Sequence, residues 1–195
     1  LQNYKKISNR QAFSSPMLQY LSFLVICIFI FYILLYNNSG DTMEKLFQKL
    51  NDLISKYDNF IVMGHKDPDL DSLGSSLGLC EIIESFGKTA YLFLNIKHLD
   101  KYNSNIKQAF NKMEKDIICV DAETYKKLTG NVLLIITDVH QQERVEYPKA
   151  VDEYDTIILD HHIKNKSYIK NSKFLYIDSN LSSMSELITY YAEYC

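Results

Sequence analysis

Residues 64–74 read Gly-His-Lys-Asp-Pro-Asp-Leu-Asp-Ser-Leu-Gly, and this stretch decides the fold. The apolar run before it, residues 60–63, is typical of a buried strand, and residues 71–86 after it have the apolar spacing of a helix. A histidine and three aspartates therefore lie on a strand-to-helix turn, at the edge of an α/β sheet where ligands bind. Their nitrogen and oxygen atoms suit Mn²⁺, Mg²⁺ or Zn²⁺. As an alternative, Asp69 or Asp71 merely caps the helix.

Two further apolar runs, residues 132–137 and 156–159, also end in metal-type side chains. These side chains are Asp138 and His140 after the first run, and Asp160, His161 and His162 after the second. Because parallel strands end along one edge of a sheet, we expect the three clusters to converge there. One such cluster arises easily by chance, but three at equivalent positions predict a metal centre.

Strands and helices alternate along the rest of the chain. The further predicted strands are residues 89–94, 116–120 and 174–178. The further predicted helices are residues 104–113, 122–128 and 184–194, and one that begins at Glu44 or Lys45 and ends at Tyr57. This alternation predicts an α/β fold with a doubly wound, mostly parallel sheet. Gly74 and Gly78 are expected to allow close packing of their helix against the sheet or, at Gly74, an approach of the backbone to the metal site.

The composition fits one globular domain with an accessory segment. The chain has 195 residues, of which 47% are hydrophobic, enough to bury a core. A formal net charge of −3 gives no general attraction for long nucleic acid. The four cysteines are far apart and lack the spacing of a zinc site, which favours a reducing compartment.

Residues 17–37 are almost wholly apolar, and no charged side chain occurs between Arg10 and Asp41. About 20 such residues cross a bilayer as a helix. We therefore predict a transmembrane helix at residues 17–37, after a polar tail at residues 1–16 and before a linker at residues 38–42. The lack of a polar face argues against a buried helix, and the lack of a small-residue cleavage pattern argues against a signal peptide.

The three clusters resemble the DHH phosphoesterase superfamily, which is named after a motif like residues 160–162. The finer similarity, to the membrane-bound cyclic-di-AMP phosphodiesterases of the GdpP type, rests on three stretches. They are residues 64–74, Asp138-Val139-His140 followed by Val145-Glu146, and Ser182-Ser183-Met184-Ser185-Glu186 at the start of a helix. The resemblance covers residues 43–195 and implies that they form a DHH phosphoesterase domain.

Two divalent metal ions are implied by this resemblance, with Mn²⁺ as the expected metal and Mg²⁺ or Co²⁺ also suited to the ligands. One ion is implied for His65, Asp69 and Asp138. The other is implied for Asp71, Asp138 and His161, so that Asp138 bridges the pair. Two ions about 4 Å apart activate water for attack on a phosphodiester.

Three other polar residues near the strand ends are interpreted as residues that support the metal centre. Asp160 and His162 are interpreted as catalytic residues that orient His161 and the phosphate. His140 has two interpretations, a similar catalytic helper or an ordinary loop histidine.

Substrate contacts are predicted at two places. Ser182 and Ser183 begin a helix, where free backbone N–H groups form a natural seat for an anion; ordinary capping with Glu186 is the alternative, and both can hold. Arg144 either binds a substrate phosphate or is a solvated loop charge. The family often has an arginine directly after the second motif, where this chain has Gln141.

The resemblance implies hydrolysis of cyclic-di-AMP, or of a related cyclic dinucleotide, to the linear dinucleotide. The open alternatives are a phosphoesterase for nanoRNA or pAp, a DHH-type pyrophosphatase, and a non-catalytic nucleotide sensor at the membrane. Expected partners are the cyclic dinucleotide and the lipid bilayer, but not long nucleic acid, and a homodimer is left open. The family also has a further aspartate ligand and a nucleotide-binding domain downstream. The sequence is thus expected to be truncated at its C-terminal side and weakly active or inactive alone.

The orientation across the membrane rests on two opposing arguments. Lys5, Lys6 and Arg10 favour a cytoplasmic N-terminus, which would place the metal domain outside the cell. A nucleotide substrate requires the opposite orientation. The prediction follows the substrate: a single-span protein of the cell membrane whose metal domain faces the cytoplasm.

Overall fold

The computed structural model describes residues 43–94, 101–112 and 118–195. The predicted tail, transmembrane helix and linker, residues 1–42, lie outside the described residues. Within the described ranges, no helix combines the length and the apolar character needed to cross a membrane. The chain divides into two units, Leu1–Leu46 and Phe47–Cys195, and the second carries the fold and the site.

The described residues form one six-stranded sheet in which every pair of neighbours is parallel. The strands are β1 (Asn59–Met63), β2 (Thr89–Phe93), β3 (Cys119–Val120), β4 (Val132–Thr137), β5 (Asp155–Asp160) and β6 (Phe174–Ile177). The α-helices are α1 (residues 43–56), α2 (Leu70–Ser85), α3 (Ser104–Asn111), α4 (Ala150–Glu153) and α5 (Met184–Tyr194). The predicted α/β fold with a parallel sheet is confirmed.

The strand order is β3-β2-β1-β4-β5-β6. The chain thus winds outward from β1 in one direction and then outward from β4 in the other, which is the doubly wound arrangement. All six residues of β4 are buried, as are the last four of β1. Strands that are covered on both faces need continuous rather than alternating apolar sequence, and this explains the apolar runs.

Helices α2 and α5 pack against each other through small residues. A Cβ atom added at Gly78 would lie 2.9 Å from Cγ2 of Ile188, and one added at Gly74 would lie 3.2 Å from Oγ of Ser185. The two glycines therefore make room for α5. The prediction that these glycines allow packing against the sheet was wrong, because the sequence does not reveal which element covers this face of α2.

The predicted α-helix at residues 122–128 was also wrong. The only helical residues in this segment are Tyr125–Lys127, which form one short 3₁₀ turn. The Asp121 carboxylate accepts the amides of Glu123 and Thr124 at 3.0 Å, which satisfies those groups in a turn. The ring of Tyr125 is fully buried, and its hydroxyl donates to Glu153 at 2.6 Å. Burial of this one ring outweighs the weak helical preference of a seven-residue segment.

Candidate metal centre

The candidate site lies where β1 and β4 end side by side. This is the point at which the winding of the sheet reverses, and there the loops that follow the two strands diverge and leave a crevice. The two loops are joined across the crevice: the Lys66 amide donates to the Arg144 carbonyl at 2.8 Å, and the Glu146 amide donates to the Gly64 carbonyl at 3.0 Å. These bonds hold the loop of His65 beside that of Asp138.

Gly64 lets α2 begin directly against the end of β1. A Cβ atom added there would lie 1.9 Å from Oγ of Ser72, and that hydroxyl accepts the His65 amide at 3.2 Å. The Asp69 carboxylate caps α2 by accepting the amides of Asp71 and Ser72 at 3.0 and 2.9 Å. The capping interpretation of Asp69 is thus confirmed. The bonds use Oδ1, and Oδ2 of the same carboxylate accepts neither of these amides.

Two groups of side chains meet at Asp138. In the first, called the His65 group, Nε2 of His65 lies 3.5 Å from Oδ2 of Asp138 and 3.8 Å from Oδ1 of Asp69. In the second, called the His161 group, Nε2 of His161 lies 3.2 Å from Oδ1 of Asp138 and 3.4 Å from Oδ2 of Asp71. The structure therefore brings together the five predicted metal ligands, with Asp138 in both groups.

The donor atoms fit divalent cations. His65 donates from Nδ1 to the Lys66 carbonyl at 2.8 Å, and His161 donates from Nδ1 to the Leu181 carbonyl at 3.3 Å. In the neutral tautomer that donates from Nδ1, Nε2 of each ring faces the carboxylates and can bind a cation, which is the arrangement found in metal-binding histidines. Oδ1 of Asp138 is buried and has no hydrogen-bond partner among the described residues. A buried carboxylate oxygen needs a compensating partner, and a cation supplies one.

Asp138 itself occupies an unusual backbone position. Its φ is 64°, in the left-handed region that aspartate tolerates better than most residues, and its amide donates to the Leu159 carbonyl at 2.9 Å. Burial raises the pKa of its carboxyl above the usual range, and His65 opposes this shift. Reciprocally, the Asp138 carboxylate raises the pKa of His65 to about 8, against the effect of burial. A proton and a cation therefore compete for this pair.

Asp71 links the centre to the start of α5. Its Oδ2 accepts the Met184 amide at 2.8 Å, and its Oδ1 accepts the Ser185 amide at 2.7 Å. Ser183 caps the same helix by accepting the Glu186 amide at 3.0 Å, so the capping interpretation is confirmed. The first-turn amides of α5 thus already hold an anion from the chain itself. Substrate binding by Ser182 and Ser183 stays a prediction.

Asp160, which directly precedes His161, is fully buried and contacts two histidines. Its Oδ2 binds Nδ1 of His140, and its Oδ1 accepts the amide of His162 at 3.1 Å and the Nδ1–H of His162 at 2.9 Å. Burial alone would raise the pKa of Asp160, but these bonds bring it below the usual range. Nε2 of the buried His140 accepts the Asn165 amide at 3.3 Å, so both ring nitrogens of His140 are hydrogen-bonded within the protein; its catalytic role stays a prediction.

Residues 59–195 match the DHH family, N-terminal domain. The chain belongs to the DHH family. It is 29% identical over 174 residues to the cyclic-di-AMP phosphodiesterase PdeA of Listeria monocytogenes, and 29% identical over 171 residues to the cyclic-di-AMP phosphodiesterase GdpP of Geobacillus thermodenitrificans. Each comparison covers 82% of this chain and 26% of the relative. The chain thus spans about a quarter of the length of these two relatives.

This DHH chain is also similar to an enzyme of another kind and to a protein of known structure. It is 30% identical over 135 residues to the bifunctional oligoribonuclease and PAP phosphatase NrnA of Bacillus subtilis, covering 69% of this chain and 38% of the relative. A crystal structure of an exopolyphosphatase-related protein from Bacteroides fragilis superposes with a TM-score of 0.59 at 19% identity, covering 77% of this chain and 44% of the other. The latter similarity concerns the fold.

A cleft of about 350 Å³ opens beside Asp138, one of the predicted metal ligands of this DHH domain. Asp138, His140, Arg144 and His162 are among the side chains that line it. Arg144 is exposed and therefore free to reach a ligand in the cleft. Three of the six side chains predicted to be catalytic or substrate-binding, His140, Arg144 and His162, thus line the cleft, whereas Asp160, Ser182 and Ser183 are not among its lining residues.

Sequence reasoning missed two supports of the site. Ser72 accepts the His65 amide, and it directly follows Asp71 as the first buried residue of α2. Asn165 donates its amide to His140, and no signal in the sequence indicates this contact, since a backbone donor leaves no trace in residue type.

Proposed function

We propose that this chain carries the metal centre of a phosphodiesterase that hydrolyses cyclic-di-AMP, or a related cyclic dinucleotide, to the linear dinucleotide. The observation that carries the proposal is the position of Asp138, whose two carboxylate oxygens lie near different histidines, each of which also lies near a second aspartate. The similarity to PdeA and GdpP supports the choice of substrate.

Two divalent cations, with Mn²⁺ as the proposed metal, would be held by the His65 group and the His161 group. When bound, such ions activate water and neutralise the negative charge that develops on a phosphodiester. Asp160 fixes the His162 ring through Nδ1, so that the protonated ring can donate the proton on Nε2 to the leaving oxygen and become neutral. Arg144, at the cleft, binds the phosphate oxygens, and His140 positions Asp160.

We further propose that residues 17–37 anchor the protein in the cell membrane with the metal domain in the cytoplasm. The apolar sequence of this span and the nucleotide substrate support the arrangement. A reporter enzyme fused at Lys45 should be active only inside the cell. Reporter activity outside the cell would contradict the proposed orientation.

A second candidate is the hydrolysis of short RNA or of pAp, which the 30% identity to NrnA favours. The same two ligand groups would serve this reaction, because it also breaks a phosphoester bond. The two candidates differ in the substrate that fills the cleft.

The experiment incubates the full-length protein with Mn²⁺ and, in separate reactions, cyclic-di-AMP, pAp, a two-nucleotide RNA and pyrophosphate. The Asp71→Ala variant is the control, and products are separated by chromatography. Linear dinucleotide that the variant does not produce supports the first candidate. Turnover of pAp, RNA or pyrophosphate alone moves the protein to another branch of the family. Binding of the cyclic dinucleotide without turnover would make it a sensor.

A further inference from the structure

Ile163 is the one strongly exposed apolar side chain among the described residues that line the 350 Å³ cleft. It directly follows the Asp160-His161-His162 triplet, and 82% of its surface is exposed. A single exposed aliphatic side chain is common on protein surfaces, but one that lines a cleft offers a ligand apolar area whose burial is favourable. The other apolar lining residue, Val139, is buried.

The loop that carries Ile163 is braced on both of its sides. After Ile163, the Asn165 amide donates to the buried His140 at 3.3 Å, and the Ser167 hydroxyl donates to Oδ1 of Asn165 at 2.9 Å. Nζ of Lys164 lies 4.2 Å from the centre of the Tyr168 ring. Before Ile163, the ring and the amide of His162 are bound to Asp160. These contacts fix the backbone on either side of Ile163 in a position where its side chain is open to solvent.

The cleft therefore offers two kinds of surface to one ligand. His162, Arg144 and the carboxylate of Asp138 form a polar side suited to a phosphate with its cation. Ile163 forms an apolar side. The volume of the cleft, about 350 Å³, is at the lower end of the range for small-molecule sites, as expected for a single nucleotide. We infer that Ile163 packs against the nucleobase of the substrate and so makes this DHH domain prefer nucleotides to base-free phosphate esters. The inference rests on the proposed function, since it takes the substrate to be a nucleotide.

The test compares two ligands that differ only in the base. Binding of AMP and of ribose 5-phosphate to the full-length protein is measured by calorimetry with Mn²⁺ present. The variants are Ile163→Ala, Ile163→Leu and the control Ile118→Ala, which truncates another exposed isoleucine, one that does not line the cleft. We expect Ile163→Ala to weaken AMP binding about tenfold and to leave ribose 5-phosphate binding within about twofold. Ile163→Leu should restore AMP binding, and Ile118→Ala should change neither.

Two results would overturn the inference. If Ile163→Ala weakens both ligands equally, the residue supports the loop rather than the base. If it changes neither, the exposed side chain serves another purpose. Thermal unfolding of each variant should match the wild type, because Ile163 is 82% exposed. Cyclic-di-AMP hydrolysis by the wild type is assayed separately. A base-dependent effect of Ile163→Ala without such hydrolysis would refute the proposed reaction and retain the base contact.

Discussion

The His65 group and the His161 group share Asp138 but are built in different ways. His65 and Asp69 lie four residues apart on one loop, and the ring of His65 is oriented by the carbonyl of the next residue. His161 directly follows β5, and Asp71 lies in α2; the ring of His161 is oriented by the carbonyl of Leu181, shortly before α5. Two of the three residues of the His65 group are thus close together in the sequence. The His161 group instead forms only when β5, α2 and α5 have packed together.

The largest effect is expected for the residue that the two groups share. Asp138→Asn removes a ligand from both, so turnover should fall about a thousandfold or more. Asparagine tolerates the φ of 64°, which makes it the matched replacement for the backbone. Because the change removes a buried carboxylate charge, the free energy of unfolding without added metal should not decrease. Calorimetry should show both ions lost, and retention of one ion at full affinity would mean that the groups are independent.

The second prediction compares how much one aspartate of each group contributes to the free energy of unfolding. Asp71→Ala leaves the Met184 and Ser185 amides without their carboxylate, which should cost about 2–3 kcal/mol of unfolding free energy. Asp69→Ala removes an ordinary helix cap and should cost about 1 kcal/mol. Urea unfolding in the absence of metal measures both values. Equal losses would show that α5 does not depend on Asp71.

Two glycines test how each group depends on close packing. Gly64→Ala places a Cβ atom 1.9 Å from Oγ of Ser72, next to His65, and should cost about 1–3 kcal/mol. Gly78→Ala meets only the end of the Ile188 side chain at 2.9 Å, which can rotate away, and should cost about 1 kcal/mol or less. Replacing Ser72 by alanine in the Gly64→Ala background should recover part of the loss. No recovery in this double-mutant cycle would exclude the Ser72 hydroxyl as the cause.

The smallest expected effect is a dependence of Mn²⁺ affinity on pH at the His65 group. A cation needs the neutral form of His65, whose pKa is raised to about 8. As the pH falls below that value, protons occupy the ring, and Mn²⁺ affinity should fall about tenfold per pH unit; above it, the affinity should level off. Calorimetry from about pH 6.5 to about pH 8.5 checks the slope. A constant affinity across this range would show that His65 does not bind the ion.

The part of the site that could be predicted follows from the sheet. Continuous apolar runs mark β1, β4 and β5 to within one residue at each end, and each run leads directly into its polar cluster. Parallel pairing then brings the clusters to one edge whatever the loops do. α5 was predicted with the bounds that the structure has, because its apolar spacing continues from a serine cap.

The rest depends on contacts that no local pattern encodes. The carboxylate of Asp71 binds the first turn of α5 more than a hundred residues away, and either partner alone resembles an ordinary helix end. Gly74 and Gly78 predict close packing but not the packing partner. At residues 122–128, helix propensity favoured the wrong structure, because it does not take account of where the Tyr125 ring is buried.

The strand order has a consequence for how the chain folds. β1 and β4 are neighbours in space, yet α2, β2, α3 and β3 lie between them in the chain, so their pairing must close a long loop. Pairings of this kind form slowly. On a growing chain, β1 must wait until β4 has been synthesised. Binding of the proposed ions at Asp138 would therefore require this slow pairing and would follow it rather than nucleate folding.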